Sequence, residues 1–553
     1  MGADPTGRER TRVAIEAGAL ALLAALPLLP YLLYLRTHHV ERFSFTGDFA
    51  GLELATRYVP TGRTLLGPYS RFGFSHPGPL YFYALAPIYA LWGSTSTGIL
   101  AGAGAINAAA VMVTVGATRL ATTRTHAVAV ALVVLAWLGA FGNVCANPWN
   151  PLVVVLPLIA FLVLVALVTT GSWRALPFAV VAGAFAAETH LSTIPAVLGV
   201  ALVAGAVVRL RVRRGLVFGR TGRSCALVSL ALLLLTVAPP VVEELTNPHG
   251  NITKVVHFFG ARTEPMRPMS AALTDWTHAT SWLPDRLLLG TVAQEYEPEV
   301  MRSRPPWGHV TTTGLRATVA LLLLTAGAAA IAWRRRDAVS LAFLGVGGLT
   351  GILSVIALRA IVGPNYTYLL FWTTAGTTLL WMGVLGAVGK VLADLLERAP
   401  PRAIAQVASA VVLAAAFALA LRASSLQHAF LTHEALRPVF DASNRRAYDV
   451  LRARVAQTGE TPVLHAMGAW QCALSFLLEA SKDGVDARVV DRERWLFGRQ
   501  PAGIEGLAHP LHVFIQTPEA NVSTRACMQK LATVGTIELY TSPVDVEVCA
   551  PSP

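Results

Sequence analysis

The segment from Phe43 to Gly93 gathers Asp48, Glu53, Arg57, Arg71 and His76 among aromatic and proline residues. These side-chain types can move a proton and hold an anion. On a helix, Glu53 lies one and a half turns beyond Asp48, and Arg57 lies one turn beyond Glu53. A carboxylate held there can take a proton from an attacking hydroxyl, while Arg57, Arg71 or His76 holds a phosphate leaving group. The same spacing also suits a solvated, salt-bridged surface helix, and spacing alone does not separate the two.

Other residues could bind a ligand. In the NPWNP segment, Asn147 and Asn150 offer amides to sugar hydroxyls and Trp149 an aromatic face, although a proline-bounded turn reads the same way. Glu188 and His190 sit near the end of an apolar run, where ionisable groups are costly unless paired or functional. Arg359 precedes GPNYTYLLFW, so its guanidinium fork with Tyr366 and Tyr368 could clamp a lipid phosphate. The competing reading is an arginine snorkelling at an interface beside an aromatic belt. Lys254, His257, Arg262 and Arg267 add cations, and the following TDWTHATSWLPDRLLLG stretch reads as an interfacial segment anchored by Trp276 and Trp282.

These residues must be positioned by membrane helices. The 553 residues are 54% hydrophobic and only 14% charged, against about 25% charged in soluble proteins. A hydrocarbon core of about 30 Å needs roughly 20 apolar residues per crossing. Spans are predicted at 13–35, 97–118, 126–143, 151–170, 174–190, 191–208, 224–242, 314–333, 338–358, 365–389 and 403–423, eleven in all. The first is too long for a signal peptide and lacks a small-residue cleavage site, so it is kept as an anchor.

Charge fixes the orientation. Arg119, Arg124, Arg174, Arg209, Arg211, Arg213, Arg214, Arg220, Arg223, Arg334, Arg335, Arg336, Lys390, Arg398 and Arg402 fall on alternate loops, which the positive-inside rule makes cytoplasmic. The long loops 36–96 and 243–313 are then outside, and an odd number of spans leaves the tail outside too. Residues 76–92, broken by Pro77, Pro79 and Pro87, read as an interfacial helix; as a span they would invert every later loop. The net charge of +12 is thus explained by topology, and no basic stripe interleaved with aromatics points to nucleic acid.

The expected fold is an α-helical polytopic membrane domain over 1–423, followed by a soluble extracytoplasmic α/β domain over 424–553. In the tail, helices are predicted at 441–457, 469–482 and 522–532, and strands at 461–465, 486–490, 511–515 and 535–540. No phosphate-binding glycine loop opens any of them. No CxxC or similar spacing makes a zinc site; Cys527 and Cys549 could pair in an oxidising compartment, with Cys472 left over.

The first outer loop resembles that of the GT-C superfamily of polytopic glycosyltransferases, above all the branch of protein mannosyltransferases, aminoarabinose transferases and arabinofuranosyltransferases. The resemblance rests on Asp48 soon after the first span and on HPGPLYFYALAPIYALWG, similar to that branch's histidine-proline-proline juxtamembrane helix. A span ending in basic residues from Thr118 to Arg124, and ETHLSTIP at 188–195, complete it. It implies 11 to 13 spans and an extracytoplasmic site. It also implies inverting transfer from a polyprenyl-phosphate sugar to a glycan, lipid or protein acceptor, with Asp48 as the base. On that reading Glu53, Arg57, Arg71, His76, Asn147, Trp149, Asn150, His190, Lys254, Arg359, Tyr366 and Tyr368 bind substrate in the cytoplasmic membrane, and the tail helps bind the acceptor. Many relatives carry two adjacent acidic residues at this place, whereas Phe49 follows Asp48 here. No cofactor is demanded; some members use a divalent cation and others do not. The other classes open to this sequence are a polytopic transporter and a glycan polymerase or ligase using lipid-linked substrates. A transporter usually shows internal repeats, and none is evident.

Overall fold

The computed structural model describes residues 7–37, 45–283, 312–363, 366–398, 402–432, 442–465, 469–490, 507–517 and 527–544. The first helices are α1 (Gly7–Ala25) and α2 (Leu29–Thr37), joined by a 3-10 turn, then α3 (Gly47–Arg57) and α4 (Leu80–Leu91). Next come α5 (Ser96–Ala121), α6 (Arg124–Ala146), the single turn α7 (Asn150–Val153), α8 (Val155–Thr169), α9 (Leu176–Thr189) and α10 (Ile194–Arg213). They are followed by α11 (Gly219–Thr246), α12 (Asn251–Gly260), α13 (Met269–Thr280), α14 (Thr312–Arg334), α15 (Ala338–Arg359), α16 (Thr374–Arg398) and α17 (Arg402–Thr432). The tail adds α18 (Ala442–Thr458) and α19 (Trp470–Asp483).

Among the described residues, ten helical segments of 20 to 31 residues are long and apolar enough to cross a membrane. They match ten of the eleven expected spans, and the chain is a multi-pass membrane protein. The eleventh, 174–190, forms a 3-10 turn and the 14-residue α9, about 21 Å at ~1.5 Å per residue. It is short, but its two ends are level with those of α8. At one end Arg211 donates to the Thr169 carbonyl at 2.6 Å and the Trp173 indole to the Val217 carbonyl at 3.0 Å. At the other, the Asn150 amide donates to the Thr189 carbonyl at 3.1 Å. Thus α9 runs back along the whole of α7 and α8. Residues 80–91 form the 12-residue α4, shorter than a crossing, as the three prolines implied.

The chain folds as two compact units, one of 1–34, 103–238 and 260–430, the other of 35–102, 239–259 and 431–553. In the first, every side chain of α8 is buried, and the helices α9, α10, α15 and α16 pack around it. The ends where the sequence clusters its basic residues are tied by ion pairs: Arg119 to Glu16 at 2.6 Å, His126 to Asp337 at 3.1 Å, and Arg335 to Asp394. Asp337 also caps α15 through the backbone N–H groups of Val339 and Ser340. Burial works to raise its carboxyl, but the hydrogen bonds from His126 and Ser340 hold it below the usual carboxylate range. The TDWTHATSWLPDRLLLG stretch departs from expectation over its described part, 274–283. Trp282 is 2% exposed, donates to Thr377 at 3.2 Å and packs on Phe141, so it is a core residue and not an interfacial anchor.

The second unit holds a five-stranded sheet in the order β2-β1-β3-β5-β4, made of β1 (Thr461–His465), β2 (Arg488–Val489), β3 (Pro510–Gln516), β4 (Gln529–Val534) and β5 (Ile537–Ser542). The first three strands are parallel, and β5 runs antiparallel to both β3 and β4. The helix expected over 522–532 is overturned from 529 on, where β4 pairs with β5. A two-residue turn at Gly535, whose φ is +61°, closes that hairpin, and cross-strand pairing overrides the local helix preference of Gln529–Leu531. Cys527 is disulfide-bonded and Cys472 keeps its thiol; Cys549, the partner expected for Cys527, lies outside the described residues.

α6 leaves helical geometry at Phe141, and the carbonyl of Gly139 there accepts from Arg422 of α17 at 2.9 Å. At Gly142 a Cβ would meet the Ala423 carbonyl oxygen at 2.6 Å, whereas at Gly205 of α10 it would meet nothing within 4 Å. Gly142→Ala is therefore expected to destabilise the bundle by about 1–3 kcal/mol, the range for overpacking. Gly205→Ala should be neutral or slightly stabilising. Thermal unfolding of the two purified variants in one detergent measures both.

Candidate active site

Asp48 occupies the first turn of α3. Thr46 before it is extended, and Gly47 takes a φ of +53°, which a side chain would resist. A Cβ on Gly47 would also meet Gln471 of α19 at 3.2 Å, so the glycine serves both the turn and the close approach. The helix N-terminus favours the ionised carboxylate. Asp48 is half-buried, and the Tyr69 hydroxyl donates to its Oδ1. Tyr69 is in turn fixed by antiparallel pairing with Ser75, by the Ser70 N–H on the Phe74 carbonyl at 2.8 Å, and by an edge contact with Trp470 at 5.8 Å. The arrangement presents a charged, oriented carboxylate that can accept a proton.

Two neighbours expected to bind substrate are placed otherwise. Glu53 is wholly buried: its oxygens accept from Ser96 at 2.6 Å and Tyr89 at 3.0 Å and pair with Lys482 at 2.9 Å. A carboxylate so enclosed is not offered to a ligand. Arg57 donates to the hydroxyl and carbonyl of Ser481, both at 3.0 Å, and so joins α3 to α19. Arg71 is exposed, with its guanidinium over the Phe72 ring at 4.9 Å. The side chain of His76 is buried, and its backbone pairs with Pro68 at 2.7 Å and Gly67 at 3.0 Å. Lys254 is exposed on α12, a helix held to the same loop by Asn251, whose side chain bonds both backbone groups of Ser75 at 2.7 and 2.9 Å.

The remaining candidates lie in the first unit. Asn147 accepts from the Trp149 N–H at 2.8 Å, which fixes the turn, and Asn150 is spent on Thr189. Trp149 packs on Tyr368 at 4.5 Å, and Tyr368 stacks on Tyr366 at 5.5 Å. Trp149 is the side chain of the NPWNP segment that joins this aromatic group. Arg359 closes α15 and donates through Nε to the Arg267 carbonyl at 3.3 Å, while Arg267 pairs with Asp275 at 2.8 Å. His190 lies at the junction of α9 and the next turn, with Nδ1 2.6 Å from the Ser192 hydroxyl.

Sequence reasoning did not find Tyr69, Ser96, Tyr89, Trp470 or Lys482 around α3. Tyr69 is 21 residues from Asp48 and Lys482 is 429 from Glu53, so no local spacing signals either. Among the described residues no three His, Cys, Asp or Glu side chains gather as a metal-ligand set.

No protein-family model and no curated protein matches the chain. Solved structures do. The crystal structure of ArnT from Cupriavidus metallidurans bound to undecaprenyl phosphate aligns at a TM-score of 0.55 and 13% identity, covering 97% of this chain and 99% of that one. The apo crystal structure of the same protein aligns at 0.52 and 13%, covering 97% and 100%. The fold of this chain is therefore similar to that of ArnT over nearly its whole length.

Proposed function

We propose that this protein is a GT-C-type membrane glycosyltransferase. It takes a sugar from a polyprenyl-phosphate donor and passes it, with inversion, to a hydroxyl of a glycan, lipid or protein acceptor outside the cytoplasmic membrane. The observation that carries the reading is the half-buried Asp48 at the N-terminus of α3, bonded to Tyr69, in a chain with the ArnT fold along 97% of its length. That one of those ArnT structures holds undecaprenyl phosphate supports a polyprenyl phosphate as the lipid part of the donor.

Asp48 accepts the proton of the acceptor hydroxyl as its oxygen attacks the anomeric carbon from the face opposite the phosphate. The carbon–oxygen bond to phosphate breaks, and polyprenyl phosphate leaves with the electron pair as a dianion. Cations stabilise that charge. Lys254 and Arg71, in the same unit as Asp48, are the candidates, since Arg57 is committed to Ser481. Trp149, Tyr366 and Tyr368 offer aromatic faces to sugar or prenyl groups. The tyrosine hydroxyl on Asp48 keeps the carboxylate aimed.

The membrane topology follows the charges. With α9 counted as the eleventh crossing, the N-terminus and the short arginine-bearing loops between spans are cytoplasmic, and the tail beyond α17 is extracytoplasmic. The levelling of α9 with both ends of α8 supports that count.

The test uses the full chain in lipid nanodiscs with radiolabelled polyprenyl-phosphate sugars and a mixed glycan acceptor pool. Asp48→Asn should lower the rate of label transfer by about 10²–10⁴, the worth of a general base, with donor binding retained. Transfer at the parental rate by a folded Asp48→Asn protein would remove Asp48 as the base. Absence of both transfer and binding for every donor would end the glycosyltransferase reading.

A further inference from the structure

A carboxylate five residues beyond Asp48 on the same helix is fully buried, and what neutralises it comes from the far end of the chain. Glu53 Oε1 lies 2.9 Å from the Lys482 ammonium near the C-terminus of α19, and Lys482 also donates to the Ser96 hydroxyl at 3.0 Å. Ser96 is itself bonded to the other Glu53 oxygen. The triangle is closed. Lys482 is tied onward to Glu479 at 3.5 Å, and Glu479 to Arg445 of α18, which also reaches Asp483. Alongside the charges, α3 meets α19 closely: Gly47 against Gln471 and Trp470, Gly51 against Leu474, and Arg57 on Ser481. Trp470 also backs Tyr69, the donor to Asp48.

We infer that α19 of the tail is the bed that positions the base helix, with Lys482 as the positioning residue that makes burial of Glu53 tolerable and so holds α3 and Asp48 in place. The tail would then act on the chemistry through α3, in addition to any part in binding the acceptor. This rests on the reading of Asp48 as the base. The physical reason is the cost of an ionised carboxylate out of water: paired it is tolerated, and with one partner removed it is strongly destabilising. A Lys482→Met protein can relieve that cost only by loosening α3 to let water or a proton reach Glu53. Neutralising Glu53 at the same time removes the cause. The two substitutions must therefore be non-additive.

The experiment is hydrogen exchange by mass spectrometry on the full chain in nanodiscs, for the parent, Lys482→Met, Lys482→Arg and the Glu53→Gln/Lys482→Met double variant. The expected result is exchange of the α3 amides about tenfold faster in Lys482→Met, near the parental rate in Lys482→Arg, and largely restored in the double variant. In the transfer assay, Lys482→Met should lower kcat with the donor KM unchanged, and the double variant should recover part of the loss. If Lys482→Met does not fold, Lys482→Gln and the double variant give the same comparison. Unchanged α3 exchange in Lys482→Met, or loosening confined to the sheet and α18, would overturn the inference. Persistent loosening of α3 in Lys482→Met alongside full activity of Asp48→Asn would instead overturn the base assignment and leave the positioning of α3 intact.

Discussion

Hydrocarbon offers no water to a backbone N–H or C=O, so each crossing segment must satisfy its own polar groups, and the helix is the single-segment way to do so. That constraint explains the ten long apolar helices, and it also explains their exceptions. Where α6 abandons helical geometry at Phe141, a guanidinium from α17 donates to the nearby Gly139 carbonyl. Where α9 is only 14 residues long, a 3-10 turn extends the helical path before it, and a hydrogen bond from Asn150 fastens its far end. A departure is tolerated wherever a partner is supplied.

The same constraint sends most polar chemistry to the ends of the helices. At one set of ends the acidic residues Glu16, Asp337 and Asp394 meet Arg119, His126 and Arg335, so the basic residues that set topology also tie helix to helix. In the second unit carboxylates divide by environment. Glu53 is enclosed and neutralised by a lysine, which makes it part of the framework, while Asp48 at the start of the same helix keeps partial access to solvent. Two carboxylates five residues apart thus have different capacities, and it is burial, not spacing, that separates them.

What could be read without coordinates was whatever is local. Apolar runs announce spans because the 20-residue requirement applies to consecutive residues, and the arginines announce their ends. Six of the seven elements expected in the tail fell within two residues of their places, α18 through β3 and then β5, because each carries its own periodicity. The segment at 529–532 did not, since its strand state is imposed by pairing with 537–541. Trp282 misled in the same way: an amphipathic stretch with tryptophans suits an interface or a buried contact equally, and only the presence of Thr377 and Phe141 decides for the core.

The sequence by itself determined that the chain crosses the membrane many times, which loops carry the cations, and that Asp48 and Glu53 were the acids worth weighing in the first loop. Tertiary structure separated them by burial. Burial and ion pairing depend on groups brought together from 429 residues apart, Glu53 and Lys482, and such proximity has no trace in local pattern. The same holds for Tyr69 on Asp48 and for the bed that α19 makes under α3. Composition and periodicity are sums over neighbours in the chain, whereas a site is a set of neighbours in space.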